Sequence, residues 1–170
     1  MSLFGRIFKK SEPAHPHQEH LITLEGPLRR VYLLTAELRA NPRQVELTRS
    51  LTLDKSRPNM GLKGKHGLFA SEEWWDSINT GRMPLRRVSG TAVRVYEAGQ
   101  DRTGVINKVD LQLEDGSRAA VGIYVNDRRD ARLFKIGSKV ELVYALDELK
   151  RDHGSGPYSE IALEMAVSID

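Results

Sequence analysis

The chain of 170 residues contains no cysteine. That excludes disulfide scaffolds, thiol nucleophiles, and zinc or iron–sulfur centres held by thiolates. No apolar run approaches the roughly 18 residues that a spanning helix needs, so a transmembrane protein is not expected. No block of five like charges occurs, which argues against a basic or acidic interaction tail. The phosphate-loop ending is missing too, because Gly64-Lys65 is followed by His66, and no strand-to-helix GxGxxG unit exists. Asp152, His153 and Ser155 supply triad residue types within four positions, but a triad assembles from separate elements and no GxSxG elbow accompanies them.

What is present suits a globular domain of ordinary size. The apolar set is 39% and glycine adds 14 residues, inside the usual globular range. A chain of this length can bury roughly 70% of its unfolded surface. Net charge is +3, but its distribution is uneven: residues 1–87 carry +6 and residues 88–170 carry −3. Affinity for phosphate backbones or anionic lipid would therefore reside in the first half. The alternative is a solvated, mixed surface.

The chain divides into three stretches. Residues 1–20 combine a short basic amphipathic pattern (Leu3, Phe4, Ile7 and Phe8 beside Arg6, Lys9 and Lys10) with a polar, proline-bearing linker. The first ten residues would dock on the body or a partner, or make weak membrane-surface contact. Residues 21–85 form an N-terminal α/β segment. In it, Leu28, Val31, Tyr32, Thr35 and Leu38 share a helical face that Asn41-Pro42 breaks, and Val45, Leu47, Leu51 and Leu53 alternate as in a strand. Glycines at 61, 64 and 67 mark a loop. Ser71 is placed to cap a short tryptophan-bearing helix over about 72–79, with Glu72 and Glu73 in its first turn and Gly81 beyond its end.

Residues 86–170 read as strands. Thr91, Val93 and Val95 alternate, as do Val109, Leu111 and Leu113, then Ala119, Val121, Ile123 and Val125. Asp115-Gly116 between the latter two is a hairpin signal for a type I′ turn. One or two helical turns in NDRRDARLF precede a strand with Val140, Leu142, Tyr144 and Leu146 on one face, and Ile161 to Ile169 alternates strictly. The order β-β-β-α-β-β resembles the oligonucleotide/oligosaccharide-binding (OB) fold. That resemblance implies an α+β, mainly β protein with a C-terminal five-stranded antiparallel barrel. An SH3-like barrel or small sandwich fits the same strands. The stretch GKHGLFASEEWWDSINTGRMP (64–84) resembles bacterial proteins of unassigned function, which implies an origin and no activity.

Candidate chemistry is sparse. His15, His17 and His20 lie close together in the linker with no carboxylate at a ligand-like helical spacing, so no metal site is assigned, and no cofactor is expected. Lys63, Lys65 and His66 in the glycine-bearing loop could wrap an anion or contact a partner. Phe69, Trp74 and Trp75 either join that recognition surface as anchors or close the end of the barrel. Arg94, Tyr96, Lys108, Gln112, Arg118 and Tyr124 alternate opposite the apolar set, and basic residues beside aromatics suit stacking and phosphate contact, although Asp110 and Glu114 share that surface. No nucleophile, acid/base pair or metal set emerges. The sequence therefore points to a non-enzymatic, cytoplasmic module that binds another protein. Single-stranded nucleic-acid binding is the alternative and a small enzyme the third reading.

Overall fold

A computed structural model describes residues 20–170. The amphipathic N-terminus, and the linker with His15 and His17, lie outside the described residues.

Six antiparallel strands form one sheet in the order β1-β6-β5-β2-β3-β4. They are β1 (Leu28–Leu33), β2 (Leu85–Tyr96), β3 (Lys108–Leu113), β4 (Arg118–Gly122), β5 (Lys139–Glu148) and β6 (Tyr158–Ser168). Three α-helices, α1 (Leu34–Ala40), α2 (Pro42–Leu53) and α3 (Glu72–Asn79), precede β2, and a 3-10 turn (Arg128–Leu133) separates β4 from β5. The protein is α+β and mainly β, as expected. The expected five-stranded barrel does not form: a sixth strand joins from the N-terminal segment, and β1 and β4 are left as edges. Residues just after β4 reach across to β1: Asp130 pairs with Arg29, the Tyr124 ring stands against Tyr32, and Asn126 makes three hydrogen bonds. Asn126 donates its backbone N–H to Val31 O at 2.9 Å, accepts from Leu33 N at 2.8 Å and donates Nδ2 to Leu33 O at 3.2 Å.

The hairpin of β3 and β4 is the element the sequence specified best. Val109, Leu111 and Val121 are buried and Ile123 is half-buried, with Val109 opposite Val121 and Leu111 opposite Ala119. The turn differs from the expected type I′. It is a three-residue connection, Glu114 to Gly116, in which only Gly116 is left-handed (φ +83°), the bulge arrangement that needs glycine at that one position. Asp115 keeps negative φ and accepts from Ser117 N at 2.9 Å.

Two expectations for the N-terminal segment are overturned. Residues 28–33 are strand, because β6 is buried along Ala162–Ser168 and its outer edge takes β1 as a partner. A helix therefore starts only at Leu34. The alternation Val45–Leu53 is helical, opened by Pro42 at the first helical position, where its fixed φ is favourable. No α2 residue is buried, so the alternation of leucines there reports no buried face. In β2, a bulge between Ala92 and Arg94 shifts the phase. Thr91 is consequently exposed while Ala92 is buried, against the expected Thr91–Val93–Val95 face.

Candidate functional site

The loop over residues 61–67 and helix α3 pack as structure. Ser71 Oγ accepts from Trp74 N at 3.2 Å, the expected cap. Phe69, Trp74 and Trp75 stand edge to face, with centroids 5.1 and 4.8 Å apart, and all three are buried. Trp74 Nε1 donates to Asp147 Oδ2 at 2.8 Å. The other oxygen of that buried carboxyl has no hydrogen-bond partner among the described residues, and burial raises the Asp147 pKa above the ordinary aspartate value.

The glycines of the loop serve packing. Gly61, Gly64 and Gly67 all have positive φ, and a Cβ at Gly61 would lie 2.8 Å from Leu51 Cγ. Leu62 bridges Leu149, Lys63 N donates to Glu148 O at 2.8 Å, and Lys150 N donates to Gly61 O at 3.0 Å. Lys63 and Lys65 reach Glu148 at 2.7 and 3.3 Å and together hold its carboxyl below the usual glutamate range. Lys63 and Lys65 stay exposed and His66 is half-buried. Lys150 Nζ also meets Leu51 O at 2.7 Å and Asp54 O and Arg57 O at 3.3 Å, so an ammonium caps the C-terminal end of α2. Beside α3, Leu38, Pro42, Val45, Ala70 and Trp75 line an apolar groove of about 310 Å³. Ala70 there is the one non-glycine residue with positive φ among those described (φ +58°).

The second region is the outer face of the sheet. Arg94 lies opposite Asp110, Tyr96 opposite Lys108 and Thr91 opposite Gln112 across β2 and β3. Gln112 in turn faces Arg118 on β4, and Lys139 on β5 faces Thr91. The expected surface set therefore comes together, apart from Tyr124. Beyond Gly122 the chain leaves β4 and the alternation lapses. Tyr124 turns inward, its N–H on Met165 Sδ at 3.3 Å and its ring 5.6 and 6.2 Å from Tyr32 and Tyr144. Arg94 lies over the Tyr96 ring at 4.2 Å, and Tyr96 Oη donates to Asp110 Oδ1 at 3.1 Å, which raises the tyrosine pKa.

The same face carries a buried glutamate that sequence reasoning missed. Glu164 is fully buried, pairs with Arg30 Nε and accepts from Leu21 N at 2.7 Å. Arg30 also donates to Ile22 O at 3.0 Å, and Arg87 to Leu21 O at 2.6 Å. Residues 21–22 are thereby strapped across β6 and β5. Glu164 falls between the alternating apolar residues Leu163 and Met165, the pattern of an outward-facing position. Only the cover supplied by the strap reverses that.

A family model described as Immunity protein RhsI2 matches residues 28–168, the span from the first residue of β1 to the last of β6. The match lends no support to single-stranded nucleic-acid binding. No curated protein matches the chain.

Proposed function

The chain belongs to the RhsI2 immunity protein family, and from that premise we propose that it binds a protein toxin and neutralises it by forming a stable complex. The observation that carries this reading is the extent of the family match, which takes in every strand of the sheet. Neutralisation by binding asks of the fold a rigid surface of roughly 800 Å² per partner, and it asks for no catalytic group. The antiparallel sheet supports that: its strands are fixed by long ladders, and side chains mounted on them lose little further freedom on docking.

The test is protection. Cells that express a toxic polypeptide together with this chain are scored for growth, and the purified pair is run on a sizing column. Growth rescue together with a complex of fixed stoichiometry is the expected result. Rescue at quantities of the chain far below those of the toxin, with no complex recovered, would show turnover in place of binding and overturn the proposal.

A further inference from the structure

We infer that the outer face of β2, β3, β4 and the start of β5 is the docking surface, and that it fits a partner surface bearing carboxylates. The inference rests on the toxin-binding reading for the partner's identity, though not for its chemistry. Beyond Arg87, which is engaged by the Leu21 carbonyl, four cations, Arg94, Lys108, Arg118 and Lys139, share this face with two carboxylates, Asp110 and Glu141, and Glu114 stands at its rim by the hairpin end. The heights of these groups matter as much as their number. The side chains of Arg94 and Lys139 are 66% and 54% exposed, whereas Asp110 and Glu141 beneath them are 21% and 24% exposed. Both carboxylates are thus neutralised from above, at 4.0 and 3.4 Å. The layer an approaching molecule meets first is cationic.

Between the cations lie small or neutral positions. Ser89, Thr91, Gln112 and Ala120 are exposed, so a partner can approach the strands closely. A cationic layer of this kind steers an oppositely charged partner and suppresses a like-charged one. Nucleic acid would use the same charge but needs bare aromatic platforms for successive bases. On this face the Tyr96 ring is already covered by the Arg94 guanidinium, which favours carboxylates on a protein.

The experiment uses the full chain, labelled for amide NMR, and a short polyglutamate peptide as probe, with an oligothymidylate as the second arm. Shifts should concentrate at Arg94, Lys108, Arg118 and Lys139 and fade with added salt. The double variant R94Q/R118Q should weaken peptide binding about tenfold, while K63Q/K65Q, on the exposed lysines beside Glu148, should not. Both variants should melt near the parent temperature, because exposed charges contribute little to stability. Equal weakening by the two variants, or shifts centred elsewhere, overturns the inference. Tighter binding of the oligothymidylate to this same face overturns the assignment to a protein partner. With a toxin that the parent chain neutralises, R94Q/R118Q should again weaken the complex about tenfold. Unchanged toxin affinity would remove the docking surface and leave the toxin reading intact. A face that binds the peptide in a chain that protects against no toxin would do the reverse.

Discussion

Replacing Trp74 by Phe isolates the contact between α3 and β5. The substitution keeps an aromatic ring against Phe69 and Trp75 but deletes the indole N–H that Asp147 Oδ2 accepts at 2.8 Å. Trp74 is fully buried, so the two lost ring carbons forfeit about 1.5 kcal/mol at roughly 0.8 kcal/mol each. A hydrogen bond to a charged group adds about 1.5–3 kcal/mol, for a total of about 3–4.5 kcal/mol at neutral pH. The loss should depend on pH with a definite sign. Burial raises the folded-state pKa of Asp147 above its ordinary value, so the group favours folding in acid and costs stability as pH rises through that pKa. The Trp74 N–H opposes the shift by favouring the ionised form. Without it the folded pKa rises further. The deficit of the variant should therefore be largest at neutral pH and shrink on acidification, where a neutral carboxyl is less costly to leave unpaired. Urea unfolding of both proteins across about pH 4–8, read by circular dichroism, measures the difference directly. The remaining tryptophan, Trp75, reports by fluorescence, since the chain has only two. A deficit under about 1 kcal/mol, or one that stays constant with pH, would refute the reasoning.

The other elements give sharper local tests. Asn126→Ala removes the two side-chain bonds to Leu33; the site is exposed, so about 1 kcal/mol is expected, with faster amide exchange at Leu33 as the decisive readout. Lys150→Met keeps the aliphatic stem and loses the ammonium that meets three carbonyls; about 1–2 kcal/mol should go, and exchange in the last turn of α2 should speed up while β5 is unaffected. Gly61→Ala combines a left-handed backbone with a clash at Leu51 Cγ, for a cost of at least about 1–2 kcal/mol. Adding Leu51→Ala should relieve the clash and leave the backbone cost, so a smaller increment for the second substitution in the Gly61→Ala background than in the parent is the signature to look for in denaturant midpoints.

Legibility followed the locality of the forces. The β3–β4 hairpin could be read from alternation because one face is buried and a one-residue slip would turn every side chain over. The outer set Arg94, Tyr96, Lys108, Gln112 and Arg118 followed from the same alternation, as the residues opposite the buried ones. Lys139 did not, because its place beside Thr91 depends on the β2–β5 register, and no local pattern fixes that. Residues 28–33 carry a pattern that either a helix or a strand could use. The choice was made by β6, about 130 residues away, whose free edge accepts them. Asn126 sits in a polar stretch that reads as a loop, and its role as a clasp exists only once β1 and the chain after β4 are neighbours.

The strap explains why only half of the outer face is left open. A glutamate fully buried on a sheet face carries a desolvation cost that only paired, hydrogen-bonded neighbours offset. Arg30, from the adjacent strand, and the N–H of Leu21 supply them for Glu164, and Val143, opposite it on β5, is buried as well. Arg87 lies opposite Val143 in turn and donates to the carbonyl of Leu21, so the strap ends where β2 begins. Past that boundary the same face presents no buried charge to protect, and Ser89, Thr91 and Gln112 are exposed. Releasing the strap would uncover Glu164 and extend an acidic margin toward the cations of β2–β4. Arg87→Lys, which keeps the charge but loses the guanidinium that donates to the Leu21 carbonyl and leaves Arg30 in place, should therefore loosen residues 21–22 and weaken an acidic partner while leaving the β3–β4 hairpin intact. Amide exchange at Leu21, measured beside peptide affinity, tests the coupling: faster exchange with unaltered affinity would show that the strap serves stability alone.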